Sequence, residues 1–239
     1  MRRVVRGFWG PRKESPAALA GRWAATLDAL TGLLPAAGSA PAGQPWTWTL
    51  QRASGAPAPL PAEEAALTAA LQADHDSPDT SDGAGLNLSS SGEPGWEVTV
   101  RGRGGGESEY VTQSLLVTVV SPDTAEVPEA ALLALLADVW QPDIGDVTDD
   151  DVLDALEDEA GYDYTLSQLC VGRLGYLSPG RAALAPEGVG TVRKELNGPG
   201  VLLDIAPPGD TDTVVAAYER LRDAGALEPL PRPMNRTYL

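Results

Sequence analysis

Two residue types on which much protein chemistry depends are nearly missing: the 239 residues hold one cysteine, Cys170, and one histidine, His75. A lone cysteine excludes an internal disulfide and suits a reducing compartment. One Cys and one His, far apart, cannot supply the ligand set of a structural zinc site. Hydrolase triads and most acid–base enzymes draw on histidine. His75 stands between Asp74 and Asp76 in a turn-rich stretch and reads as a solvated loop side chain. Cys170, between Leu169 and Val171, reads as a buried, inert thiol. Long apolar runs are missing too, so no membrane span is expected. The basic start, Met1 to Arg6, leads into Gly10-Pro11 and not into the apolar stretch of a secretory signal. A cytoplasmic protein is the expectation.

Positive charge is also scarce. Seventeen basic side chains face 34 acidic ones, for a net charge of −17. A field of that sign repels nucleic acids and anionic membranes, and it speeds encounter with basic partners. Charge alone favours the plainer reading, that acidity keeps the protein soluble. Apolar residues make up 43%, enough for a substantial core, while 26 Gly and 21 Pro call for many turns.

The patterning predicts an α+β fold: one domain over 1–239, a mostly antiparallel sheet and several helices. Arg3 to Trp9 reads as a strand. Ser15-Pro16 opens a helix whose Leu19, Trp23, Leu27, Leu30 and Leu34 form one apolar stripe, ended by Pro35. Residues 36–45 and 53–61 read as loops, with a strand at Trp46 to Leu50 between them. A helix is expected over 62–73 and a turn-rich stretch over 74–85. Residues 96–101 and 110–120 form a hairpin pattern around the glycine run 102–106. Pro128 to Trp140 and Thr148 to Ala160 read as helices, and 166–176 as extended. A second hairpin is signalled by Asn197-Gly198-Pro199-Gly200, and 210–224 is a final amphipathic helix. The Pro-rich tail, 229–239, is expected to fray.

No catalytic residue, metal ligand or cofactor site emerges. The glycine run lacks the Gly-Lys-Ser/Thr ending of a phosphate loop and leads into a strand, so it reads as a hairpin tip, with a weak anion site at its arginines as the alternative. The densest charge is acidic: Asp143, Asp146, Asp149, Asp150, Asp151, Asp154, Glu157 and Asp158. Helical spacing stacks Asp150, Asp154 and Asp158 on one face. That face is a solvated surface, a cation site lacking EF-hand spacing, a chance carboxylate pair of the kind hydrolases use, or a patch docking on a basic protein. Trp140 ends the preceding helix beside this run and is a candidate anchor, although for any one tryptophan core packing is the better reading.

Gly7-Phe8-Trp9-Gly10-Pro11-Arg12-Lys13-Glu14-Ser15, followed by an Ala/Leu-rich helix, resembles the start of the Imm52 family of bacterial immunity proteins. Val139-Trp140-Gln141-Pro142-Asp143 resembles that family's Trp-x-Pro-Asp stretch. Gly172-Arg173-Leu174-Gly175-Tyr176-Leu177-Ser178 resembles its Gly-Trp-x-x-Tyr-Leu-Ser segment without the tryptophan. The resemblance implies a non-enzymatic protein that binds and neutralises a cognate toxin, of a restriction-endonuclease-like nuclease class, in the cell that makes it. A nuclease must present a basic cleft to phosphates, and an inhibitor of charge −17 suits such a surface. The expected contact residues are Trp140, Asp143, Asp149, Asp150, Asp151, Asp154, Glu157 and Asp158. An adaptor or chaperone of a secretion system is the rival reading, ahead of a carboxylate hydrolase and a subunit of a larger assembly.

Overall fold

Among the described residues ten strands, all antiparallel, form one sheet, in the spatial order β3 (Ala58–Leu60), β2 (Trp48–Leu50), β4 (Ala84–Ser91), β5 (Glu97–Gly104), β6 (Gln113–Val120), β1 (Arg2–Trp9), β7 (Ile144–Thr148), β8 (Leu174–Leu177), β10 (Val201–Asp204) and β9 (Thr191–Glu195). The computed structural model describes residues 1–34, 47–52, 55–77, 82–91, 95–163, 168–196, 198 and 200–239. In chain order the elements are β1 (Arg2–Trp9), α1 (Pro16–Leu33), β2 (Trp48–Leu50), β3 (Ala58–Leu60), α2 (Glu64–His75), β4 (Ala84–Ser91), β5 (Glu97–Gly104) and β6 (Gln113–Val120). There follow α3 (Glu129–Trp140), β7 (Ile144–Thr148), α4 (Asp150–Ala160), β8 (Leu174–Leu177), α5 (Pro179–Leu184), β9 (Thr191–Glu195), β10 (Val201–Asp204) and α6 (Thr211–Asp223). The α+β, antiparallel expectation holds. The expected stop at Pro35, the loop at 36–45, Trp46, and Asn197 and Pro199 of the second hairpin signal lie outside the described residues.

Strand β1 is central. Val5 pairs with Val117 of β6 on one side and Val147 of β7 on the other. Its alternation feeds two cores. Val5 and Trp9 face α1, α2 and α3, while Phe8 packs into the core beneath α4 and α6. Strands β8 and β10 serve both layers: Tyr176 and Leu202 join the first core, Leu177 and Leu203 the second. Strands β4, β5 and β6 are covered on one face only, and Thr99, Arg101 and Thr118 point outward from the other.

Helix α1 starts as its sequence dictates. Ser15 Oγ accepts from Ala18 N at 3.2 Å, Pro16 occupies the first turn, and the whole apolar stripe is buried. Helix α3 lies close over β1 because position 7 is glycine; a Cβ there would collide with Leu136 Cδ2. The tail is tied down, contrary to the fraying expected of it. Met234 N donates to Glu109 O at 2.7 Å, Gly10 N to Thr237 O at 2.9 Å, and Leu239 N to Asp143 Oδ1 at 2.9 Å. Leu230 and Met234 of the tail are themselves buried.

Candidate protein-docking surface

The acidic segment divides into an inner and an outer set. Asp143, Asp146 and Asp149 are buried. Asp143 accepts from Ser178 Oγ at 2.8 Å and from Arg181 Nε and Nη2 at 2.8 and 2.7 Å, and Arg181 is fully buried. Asp146 takes Arg6 in a bidentate pair, both contacts 2.8 Å, with Cys170 Sγ against the same two groups. Burial pushes the Cys170 thiol up to about 12, with Arg6 opposing the shift and Asp146 adding to it. The inert, buried thiol is therefore as expected.

Asp149 caps α4, accepting from Val152 N at 3.0 Å. It also closes a four-charge cluster. Arg3 Nη1 lies 3.1 Å from Asp149 Oδ2, and Arg3 Nε donates to Glu129 Oε1 at 2.7 Å. Arg173 Nη2 reaches both Glu129 oxygens at 2.6 and 2.7 Å, and Arg173 Nε stands 3.6 Å from Asp149, an ion-pair distance too long for a hydrogen bond. Strand β1, α3, the β7–α4 junction and the approach to β8 are thus bolted together at the start of α4. A buried carboxylate left without its cation costs several kcal/mol, so the inner acids belong to the fold.

Trp140 is also internal, 1% exposed. Its ring lies 5.6 Å from Trp9 and, edge-on, 5.7 Å from Trp23, and its Nε1 donates to Thr26 Oγ1 at 2.8 Å. Neither Trp140 nor Asp143 nor Asp149 offers a surface to a partner, and for these three the expected contact role is replaced by packing and charge pairing.

The outer set is Asp150, Asp151, Asp154, Glu157 and Asp158, all exposed on α4, with Glu159 beside them. Val152 and Leu156 anchor the opposite side of the helix in the core. Asp150 is engaged by Arg2 at 2.5 Å. Among the described residues, Asp151, Asp154, Glu157, Asp158 and Glu159 have no ion-pair partner. Glu157, Asp158 and Glu159 stand at the helix end where carbonyls concentrate negative charge, and the last turn has no basic residue. The neighbouring α6 supplies one correction, Arg222 Nη1 donating to Ala160 O at 3.0 Å. Helix α6 adds exposed Asp212, Glu219 and Asp223 to the same outer layer.

The remaining candidates resolve simply. His75 is exposed at the end of α2, not in a loop, with Nδ1 3.2 Å from Asp76 Oδ1. The glycine run is no loose tip: Gly102 and Gly104 are within β5, and the carbonyls of Gly105 and Gly106 accept from Glu14 N and Arg12 N. The turn beyond it is organised by Asp82, whose carboxylate accepts from Glu107 N and Ser108 N at 2.9 and 3.0 Å. A carboxylate at that place opposes anion binding. Among the described residues no group of three or more His, Cys, Asp or Glu is placed to hold a metal, and no helix is long and apolar enough to cross a membrane.

No family model matches the sequence, and no curated protein matches it. The fold has solved counterparts. One is the Pseudomonas aeruginosa T6SS protein PA0821, with a TM-score of 0.51 and 13% identity, covering 94% of this chain and 72% of that chain. At that identity the likeness is one of fold.

Proposed function

We propose that this protein works by binding another protein through the outer face of α4, and that it is an immunity protein neutralising a toxin with a basic, nuclease-like surface. The observation that carries the reading is the set of unpaired carboxylates at Asp151, Asp154, Glu157 and Asp158 on a rigidly mounted helix. Three features support it. The face repels itself in the free protein, and a basic partner would relieve that repulsion. The cluster of Arg3, Arg173, Glu129 and Asp149 fixes the helix start, so little ordering entropy remains to be lost on docking. The solved protein of like fold is a T6SS protein, which suits a role beside secreted effectors. An adaptor within such a secretion system is the second reading, favoured by that same likeness. The acids of α4 line neither the cleft at Trp48 nor the cleft at Arg181.

The test is calorimetric titration against the toxin domain encoded next to this protein, at two salt concentrations. Tight one-to-one binding that weakens with salt is expected. Asp154→Ser, Glu157→Ser and Asp158→Ser together should slow association and flatten its salt dependence. Asp150 is a poorer choice, because Arg2 already partly neutralises it. An unchanged association rate in the triple variant would remove α4 from the interface. Absence of binding at micromolar concentration would remove the immunity reading for that toxin and favour the adaptor.

A further inference from the structure

A second surface lies at the far end of the sheet, on the side opposite α4. Helix α1, strands β2 and β3 and the start of α2 enclose an open groove of about 1130 Å³. That exceeds the roughly 300–1,000 Å³ of small-molecule sites and suits a length of polypeptide. Its base is apolar: Leu27 and Trp48, both buried, close it from below, and Leu60 with Pro59 and Pro61 gives it accessible apolar surface. Its α1 wall is built from Gly21, Ala24 and Ala25, small residues that let another backbone approach closely. Its rim carries Asp28, Glu63 and Glu64, all exposed, and no basic side chain among the described residues that line it. Those three carboxylates have no ion-pair partner among the described residues. Glu63 stands at the N-cap of α2 without using its side chain to cap.

Gly21 is the most telling of these residues. It lies inside an 18-residue helix, where glycine costs stability relative to alanine. The fold does not require it, since a Cβ at position 21 would meet nothing nearer than Glu64 Oε1 at 3.9 Å. What the missing side chain does is keep the groove open.

We propose that this groove is a docking site for a segment of a partner protein in which apolar side chains alternate with lysine or arginine. Apolar side chains would lie along the floor against Ala24, Ala25 and Leu60, and the cationic ones would reach Asp28, Glu63 and Glu64. The site is separate from α4 and does not rest on the immunity reading.

A labelled peptide alternating leucine and lysine is the probe, titrated into the full chain by fluorescence anisotropy. Saturable one-to-one binding is expected, about tenfold weaker for Gly21→Phe and for the Glu63→Gln, Glu64→Gln pair. A peptide with alanine for leucine should bind about tenfold less well. Glu157→Gln with Asp158→Asn on α4 should leave binding unchanged. Equal binding by wild type and by a Gly21→Phe protein with native near-UV circular dichroism would overturn the proposal. So would equal weakening by the α4 pair, which would mean diffuse charge attraction. Binding that appears only when residues 35–46 are replaced by a Gly/Ser stretch of equal length would assign the groove to the chain itself and overturn it too. If Gly21→Phe fails to fold, the glutamine pair decides.

Discussion

At position 140 the indole bridges two other tryptophans and donates to a buried threonine hydroxyl, so its removal belongs to stability. Trp140→Ala should cost about 3–5 kcal/mol, read as a lowered midpoint in urea denaturation. The variant that still folds should retain the wild-type association rate for the partner, because the side chain reaches no surface. A binding loss without a stability loss would refute that placement. Which acids are internal is not legible residue by residue. Asp143, Asp149 and Asp158 are the same residue type within one short stretch, yet two are internal and one is exposed. What separates them is Arg181, Arg3 and Arg173, whose nearest approach in sequence to Asp143 or Asp149 is 24 residues. Spacing along the chain carries no trace of such partners. The sole signal was the helical phase, which placed Asp150, Asp154 and Asp158 together on one face of α4.

Helix α4 is a surface element whose charge opposes its own dipole at one end. Glu157→Gln with Asp158→Asn should therefore stabilise the free protein by about 0.3–1 kcal/mol, read as a raised Tm at low salt. The same pair should slow association with a basic partner. Opposite signs for stability and binding are the mark of a face kept acidic for docking; a fall in both would place these carboxylates in the structural set instead. Elements with a clear period were legible: the stripe of α1, the inward side of α6, and the pairing of β5 with β6. Three strands were not. In β4, Leu86 and Leu88 alternate with serine, glycine and asparagine, a composition that reads as turn. β3 contains Pro59 and survives as an edge strand of three residues. β7 is buried at every position, and its Asp146 is acceptable only because Arg6 stands beside it, so the period-two signal vanished.

Across the whole molecule, the buried Cys170 thiol and three buried tyrosine hydroxyls make the fold sensitive to alkali. Burial raises Cys170 to about 12 from 9.0, raises Tyr176 to about 12 from 10.0, and raises Tyr162 and Tyr218 as well. The native state thus keeps protons that the unfolded chain gives up, and its stability is fully present below pH 9 and falls above it. Each such proton costs about 1.4 kcal/mol per pH unit. Urea midpoints should decline from pH 9 upward, and Cys170→Ala should flatten the decline between pH 9 and 10, where the thiol alone differs between the two states. An unchanged slope in that variant would show that Cys170 ionises freely in the native protein. The two-layer architecture behind this burial was legible only in class. Sequence patterning gave helices and antiparallel strands, but not that α1 to α3 and α4 with α6 would take opposite faces.

The position of β1 has a consequence in time. The strand that holds the sheet together pairs with residues 113–120 and 144–148, more than a hundred positions further along the chain. It cannot be completed by any local event. The meander of β4, β5 and β6 can assemble by itself, but both flanks of β1 must wait for distant segments, and every closure of that length delays the rewarding contacts. Folding should therefore run slowly for the chain's size, and until the strand is sandwiched its two open hydrogen-bonding edges are the part of the molecule most exposed to capture by other chains.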